Sequence, residues 1–150
     1  MDRFQEESSW AHRHGEPISV IMIDIDFFKR INDNHGHCTG DYVLQQISEL
    51  ISSRLRSGDI LARFGGEEFV VLMSNADAET SLAVAESVRQ AVAENDFYSE
   101  KRLRIFVTIS AGVAAFHGEP EVTVDDVIGR ADAALYRAKE AGRNRVVRAD

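Results

Sequence analysis

Four carboxylates stand where carboxylates are costly or conspicuous. Asp24 and Asp26 end an otherwise apolar run, ISVIMIDID (18–26), while Glu67 and Glu68 directly follow a Gly65-Gly66 pair. An unpaired charge at the end of a buried strand is expensive, so such a group needs a partner. If the glycine segment lies beside the apolar run, Asp24 and Glu67 converge with no basic residue between them. One or two carboxylates, completed by water and substrate phosphate oxygens, are the ligands Mg²⁺ prefers. A cation held in this way can activate a hydroxyl and screen a triphosphate. The plainer reading makes Glu67 and Glu68 ordinary exposed turn charges, with Glu68 lying across from Arg63 in a weak cross-strand pair.

The elements that must position these acids follow from periodicity. Residues 3–14 read as a short polar helix ended by Gly15 and Pro17. The Ile- and Val-rich run 18–26 predicts a strand buried on both faces, with Asp24 and Asp26 on one side at its end. FFKRIND has helical character, and NHGHCTGD reads as a loop. From Asp41, apolar residues at i, i+3 and i+4 predict an amphipathic helix over 41–56. RSGD (56–59) is a turn. ILARF and EEFVVLM flank Gly65-Gly66, the pattern of a two-residue hairpin with positive φ at both glycines. A second amphipathic helix covers 78–93, and 103–116 is one long strand or a pair. Thr123 caps a helix over 124–141, with Asp125 and Asp126 in its first turn; Gly142 stops it, and NRVV forms a last short strand. Helices alternating with strands predict an α/β fold in which helices pack around a central mixed sheet.

Composition bounds the partners. The chain has 150 residues, an apolar fraction of 44% and a net charge of −8. That length and composition suit one soluble domain with a real core, and the acidic balance argues against general nucleic-acid binding. No apolar run approaches a membrane span, and the charged start lacks the apolar core of a signal peptide. Cys38 stands alone, so no disulfide forms within the chain and a reducing cytoplasm is expected.

Three stretches in order, IDIDFFKRINDNHGHCTGD (23–41), RSGDILARFGGEEF (56–69) and YRAKEAGRNRV (136–146), together resemble the metal, signature and phosphate segments of GGDEF domains, the diguanylate cyclases. The likeness spans about residues 18–147, with Glu67 where the name-giving motif has Asp. It implies a palm-like, nucleotidyl-cyclase-like fold and one catalytic domain over 1–150, either excised from a larger sensor protein or an unusually short natural one. The implied activity condenses two GTP into cyclic di-GMP and two pyrophosphates within a two-fold homodimer, one GTP per subunit, with two Mg²⁺ or Mn²⁺ per site. No nucleic acid and no direct membrane contact by the domain are implied.

Carried onto this chain, the resemblance gives metal to Asp24, the Ile25 carbonyl and Glu67. Glu67 and Glu68 join Lys29 as catalytic residues, and Asp26 is structural. Guanine recognition falls to Asn32 and Asp41, with His37 nearby. A carboxylate can accept from guanine's N1–H and N2–H₂, and an amide can both donate and accept. Without the resemblance, Asn32 would be read as a helix C-cap and Asp41 as an N-cap. Lys29, Lys139 and Arg143 meet the phosphates, with the Phe27 and Phe28 N–H groups opening a helix that can cradle them. Lys139 and Arg143, four apart at a helix end, share a face; the Phe27 and Phe28 side chains are core. Arg56 and Asp59 match the family's inhibitory R-x-x-D site, which binds product; Arg89 is the nearest candidate for its second arginine. The rival readings are an inactive domain that only senses cyclic di-GMP or GTP, a cyclase making a one-nucleotide or mixed product, and a structural interaction domain.

Overall fold

The computed structural model describes residues 15–149; the helix expected over 3–14 lies outside them. Strand β1 (Ile18–Ile25) is buried along its whole length. It is flanked by β3 (Glu68–Ser74) and β6 (Ile109–Phe116), both antiparallel to it. The edges are β2 (Ile60–Arg63) beside β3 and β7 (Val146–Arg148) parallel to β6, giving the order β2-β3-β1-β6-β7 in a mixed sheet.

Alternation along β1 explains its unbroken apolar sequence. Ile21, Ile23 and Ile25 face one side, where they pack on Phe28 and Ile31 of α1 (Phe28–His35), Val43 and Ile47 of α2 (His37–Ser52), and Val88 and Val92 of α3 (Ala78–Glu94). Ile18, Val20 and Met22 face the other side and meet Val127, Ala131 and Leu135 of α4 (Val124–Glu140). With both faces covered, neither row can be polar until the strand emerges at its end. Asp24 continues the α4-facing row, as Glu68 does beside Val70 and Leu72 on β3, and the two are partners in the strand register. Helix α4 sits unusually close to the sheet at Gly112, where a Cβ would lie 2.1 Å from the Ala131 carbonyl oxygen. Thr123 caps α4 through the Asp126 N–H, and the Asp126 side chain accepts from the Thr123 N–H, a complete capping box.

Several expectations need correction. Residues 37–40 are helix, and only Gly36 (φ 87°) separates α1 from α2. Thr39 and Gly40 are buried, and Gly40 packs on Asn32 and Phe28, so contact between the two helices outweighs glycine's weak helix preference. The N-cap of α2 is therefore Gly36, not Asp41, and Asn32 lies inside α1, not at its cap. The hairpin is not a two-residue turn. Arg63 pairs with Phe69, Phe64 N–H donates to the Glu68 carbonyl, and neither glycine has positive φ. This register turns Phe69 into the core and Glu68 toward Asp24, so Arg63 and Glu68 are not cross-strand partners. Of the two readings of 103–116, the pair holds: the stretch divides into β5 (Arg104–Ile105) and β6, and β5 pairs with β4 (Phe97–Tyr98) in a separate two-stranded ribbon. Among the described residues, no helix is long and apolar enough to cross a membrane.

Candidate functional site

The strand ends bring together Asp24, Glu67, Glu68 and Lys139. Ile25 N–H donates to the Glu67 carbonyl oxygen at 3.3 Å, which fastens the hairpin tip to the end of β1. Arg63 supports the tip from below: its guanidinium donates to the Gly66 carbonyl at 2.7 Å and to the Gly65 carbonyl at 3.3 Å. Asp24 is 3% exposed. One of its oxygens accepts from the Lys139 ammonium, which reaches over from α4. The other, Oδ1, is buried with no partner among the described residues. A basic residue therefore does stand among the acids, contrary to expectation; it arrives from α4, far along the sequence.

Burial and charge crowding raise the titration of both glutamates. Burial first, and then the charge of the Asp24 carboxylate, push the Glu67 carboxyl above its ordinary range, and Lys139 partly offsets them. Glu68 is pushed up by burial, by Asp24 and by Asp132 of α4, again against Lys139. Like charges held together and a buried carboxylate oxygen left unsatisfied are conditions a hard divalent cation relieves. Among the described residues no three His, Cys, Asp or Glu side chains form a metal cage. The donors present fit a cation that is completed by a backbone carbonyl, water and phosphate oxygens.

Asp26 behaves differently. Its Oδ2 accepts from Thr108 Oγ1 at 2.7 Å and from the Asn144 N–H at 3.0 Å, and its Oδ1 accepts from Ser110 Oγ at 2.7 Å. Saturated in this way, it pins the turn after α4 to the end of β1.

Asn32 Oδ1 is buried without a partner and packs so closely on Gly40 that a Cβ there would lie 1.9 Å from it. Asp41, next along α2, lines an open groove of about 540 Å³ with Leu44, Gln45, Arg63 and Phe69. His37 is exposed at the start of α2, Lys29 is exposed in the first turn of α1, and Phe28 is buried. Phe27 is not core: it is 46% exposed and left-handed (φ 55°) at the N-cap of α1. Arg143 does not share a helical face with Lys139, because it lies past Gly142 with φ 63°. Its guanidinium sits over the Phe27 ring. Arg56 and Asp59 form an ion pair at 3.0 Å away from the acidic end, and Arg56 also donates to the Ser74 carbonyl. Arg89 is engaged with Glu86 and Asn144. The sequence reading missed three contributors: Asp132, Arg63 as support for the hairpin tip, and Arg30. Asp132 was findable, since it lies two helical turns before Lys139 on α4.

Comparison with known proteins shows the family to which this fold belongs. The family model described as "Diguanylate cyclase, GGDEF domain" matches residues 1–145. Diguanylate cyclase A of Treponema denticola is 46% identical over 131 residues, 87% of this chain and 35% of the relative. Diguanylate cyclase DgcP of Pseudomonas aeruginosa is 44% identical over 145 residues, 97% of this chain and 21% of the relative. The chain thus spans a third or less of the length of DgcP and little more than a third of diguanylate cyclase A. Among solved structures, the active GGEEF domain of a diguanylate cyclase from Vibrio cholerae superposes with TM-score 0.92 at 38% identity, covering 99% of this chain and 93% of that one. The GGDEF domain of DgcB from Caulobacter crescentus, in complex with c-di-GMP, superposes with TM-score 0.93 at 32% identity, covering 98% of this chain and 86% of that one. This chain belongs to the GGDEF-domain diguanylate cyclase family.

Proposed function

We propose that this domain is a metal-dependent diguanylate cyclase that condenses two GTP into cyclic di-GMP. The observation that carries the reading is the convergence of Asp24, Glu67 and Glu68 on Lys139, with one buried Asp24 oxygen unpartnered. Asp24, the Ile25 carbonyl and Glu67 hold the divalent cation, and Glu68 supports a second. Bound there, Mg²⁺ or Mn²⁺ screens the triphosphate and lowers the pKa of the attacking hydroxyl. Each 3′-hydroxyl forms a bond to the α-phosphorus of the other GTP, the bond to pyrophosphate breaks, and Glu67 takes the proton.

Lys139 releases Asp24 to the cation and turns to the phosphates, joined by Lys29, Arg143 and the free N–H groups that open α1. Asn32 and Asp41 read the guanine edge. The orphaned Asn32 amide oxygen supports this role, since it awaits a donor; adenine would leave the Asp41 carboxylate unpaired at about 1–3 kcal/mol. His37 borders the same region. Each chain supplies half a site, so two copies must meet as a two-fold dimer. Product feedback acts through Arg56 and Asp59. The Asp59 side chain is 1% exposed and fixes an Arg56 that is half exposed, leaving one guanidinium face to stack on a guanine.

The test is incubation with GTP, ATP or both, plus Mg²⁺ or Mn²⁺, with products identified by chromatography and mass. Cyclic di-GMP from GTP alone, abolished by Glu67→Ala or Glu68→Ala, is expected, as is turnover per subunit that rises with protein concentration. Arg56→Ala relieves product inhibition at an unchanged initial rate. A mixed or one-nucleotide product, or tight product binding without turnover in an enforced dimer, overturns the reading.

A further inference from the structure

Phe27 has the exposure of a surface residue and a backbone conformation that aromatic side chains avoid. It is 46% exposed with φ 55° and ψ 34°, a left-handed position where a bulky residue is a true outlier and glycine or asparagine is the low-strain choice. Strain of this kind persists where the surroundings hold it, and it clusters at ligand clamps. The ring is occupied by cations: the Arg30 guanidinium lies 4.2 Å from its centroid and the Arg143 guanidinium 4.6 Å. Among the described residues neither arginine has a carboxylate partner. Two unpaired guanidiniums over one exposed ring, in a chain of net charge −8, form a local cationic patch.

The same corner is held by backbone. Asn144 N–H donates to Asp26, the residue before Phe27, and Arg143 and Asn144 are themselves left-handed (φ 63° and 48°). The turn after α4 and the corner between β1 and α1 are therefore locked side by side. The Arg143 side chain needs only a surface to lie on, and the aromatic face supplies it.

We propose that the Phe27 ring is a positioning platform: it holds the Arg143 guanidinium over the N-terminal end of α1, where the nucleotide's phosphates are received. This rests on the cyclase reading and gives the Phe27 side chain a role separate from that of its N–H. Without the ring, Arg143 loses its fixed starting position and phosphate capture weakens, while the acids that perform the chemistry are untouched.

The test is a series of Phe27→Leu, Phe27→Tyr and Phe27→Trp, each also made in an Arg143→Ala background. KM for GTP and kcat are measured, together with binding of Mg²⁺-pyrophosphate by calorimetry. Phe27→Leu raises KM and the pyrophosphate Kd by about 2- to 30-fold, the range of a cation–π contact, with kcat within about twofold. Tyr and Trp restore both, and Leu adds nothing once Arg143 is Ala. Equal binding by wild type and Phe27→Leu, failure of Tyr and Trp to rescue, or the same loss without Arg143 overturns the platform. Failure of the cyclase reading is told apart by NMR of the nucleotide-free protein. There the Arg143 side-chain protons shift upfield under the ring current and return on Phe27→Leu, whether or not the wild type makes product. An unmoved resonance overturns the contact itself.

Discussion

Asp24 and Asp26 sit two residues apart at the end of one strand, equally hidden from solvent, yet they are opposites. Asp26 receives three hydrogen bonds, from Thr108, Ser110 and the Asn144 N–H. Asp24 has a lysine on one oxygen and, among the described residues, no partner on the other, and it faces two further carboxylates. A buried charge that is fully hydrogen-bonded holds structure; a buried charge left partly bare among like charges waits for a cation. The residue type is identical, so the neighbours decide the role.

Substitutions can break or sharpen that contrast. The largest effect is expected at the bare carboxylate: Asp24→Asn lowers kcat/KM for GTP by about 10²- to 10³-fold, the scale for losing one group that stabilises developing charge. Its thermal unfolding midpoint stays level or rises, because a crowded charge is gone. A fall in stability as deep as that of the Asp26 variant would erase the distinction. Next, Asp26→Ala strands three donors and costs about 3–5 kcal/mol in urea unfolding, the range for removing one partner from a buried charged contact. A variant that unfolds like wild type contradicts its structural role.

A smaller effect concerns pH. Glu67 and Glu68 titrate above their ordinary value in the folded, metal-free protein. Their contribution is therefore favourable below the unfolded-state value of about 4.3 and is lost as pH rises through the folded-state value. Asp77 and Asp126 are lowered by backbone hydrogen bonds at helix caps, so their contribution has the opposite sign and disappears as pH falls through the folded-state values. The difference between wild type and Glu67→Gln isolates the first term. Glu67→Gln is the more stable protein above that transition, and the advantage shrinks on acidification; an advantage that grows toward acid pH contradicts the crowding. The smallest effect is a control: Thr123→Ala removes the α4 cap at a cost of about 1 kcal/mol and leaves turnover unchanged.

Much of this was legible in the sequence because it rested on strong local patterns. The apolar run of β1, its two acids, the Thr123 cap and the Gly-Gly hairpin each announce an element; the pairing of β1 with β3 was only a condition of the sequence reading, and the fold supplies it. The rest depended on tertiary contact. The hairpin register moved by one residue because Phe69 had to reach the core, and with that shift Glu68 exchanged Arg63 for Asp24. Helix α2 begins at His37, through a glycine, because Gly40 must pack against Asn32. Phe27 read as apolar and was assigned to the core, whereas a left-handed corner turns it outward onto two arginines. Lys139 read as a phosphate ligand; in the structure it pairs with Oδ2 of Asp24 and leaves Oδ1 without a partner among the described residues.

The most direct measurement is anomalous diffraction from crystals of the protein grown with Mn²⁺ and a non-reactive GTP analogue. The account predicts a peak about 2.0–2.4 Å from carboxylate oxygens of both Asp24 and Glu67, with Lys139 moved off Asp24 and Asp26 unchanged. A peak at Asp26 instead, or none shared by Asp24 and Glu67, would contradict it.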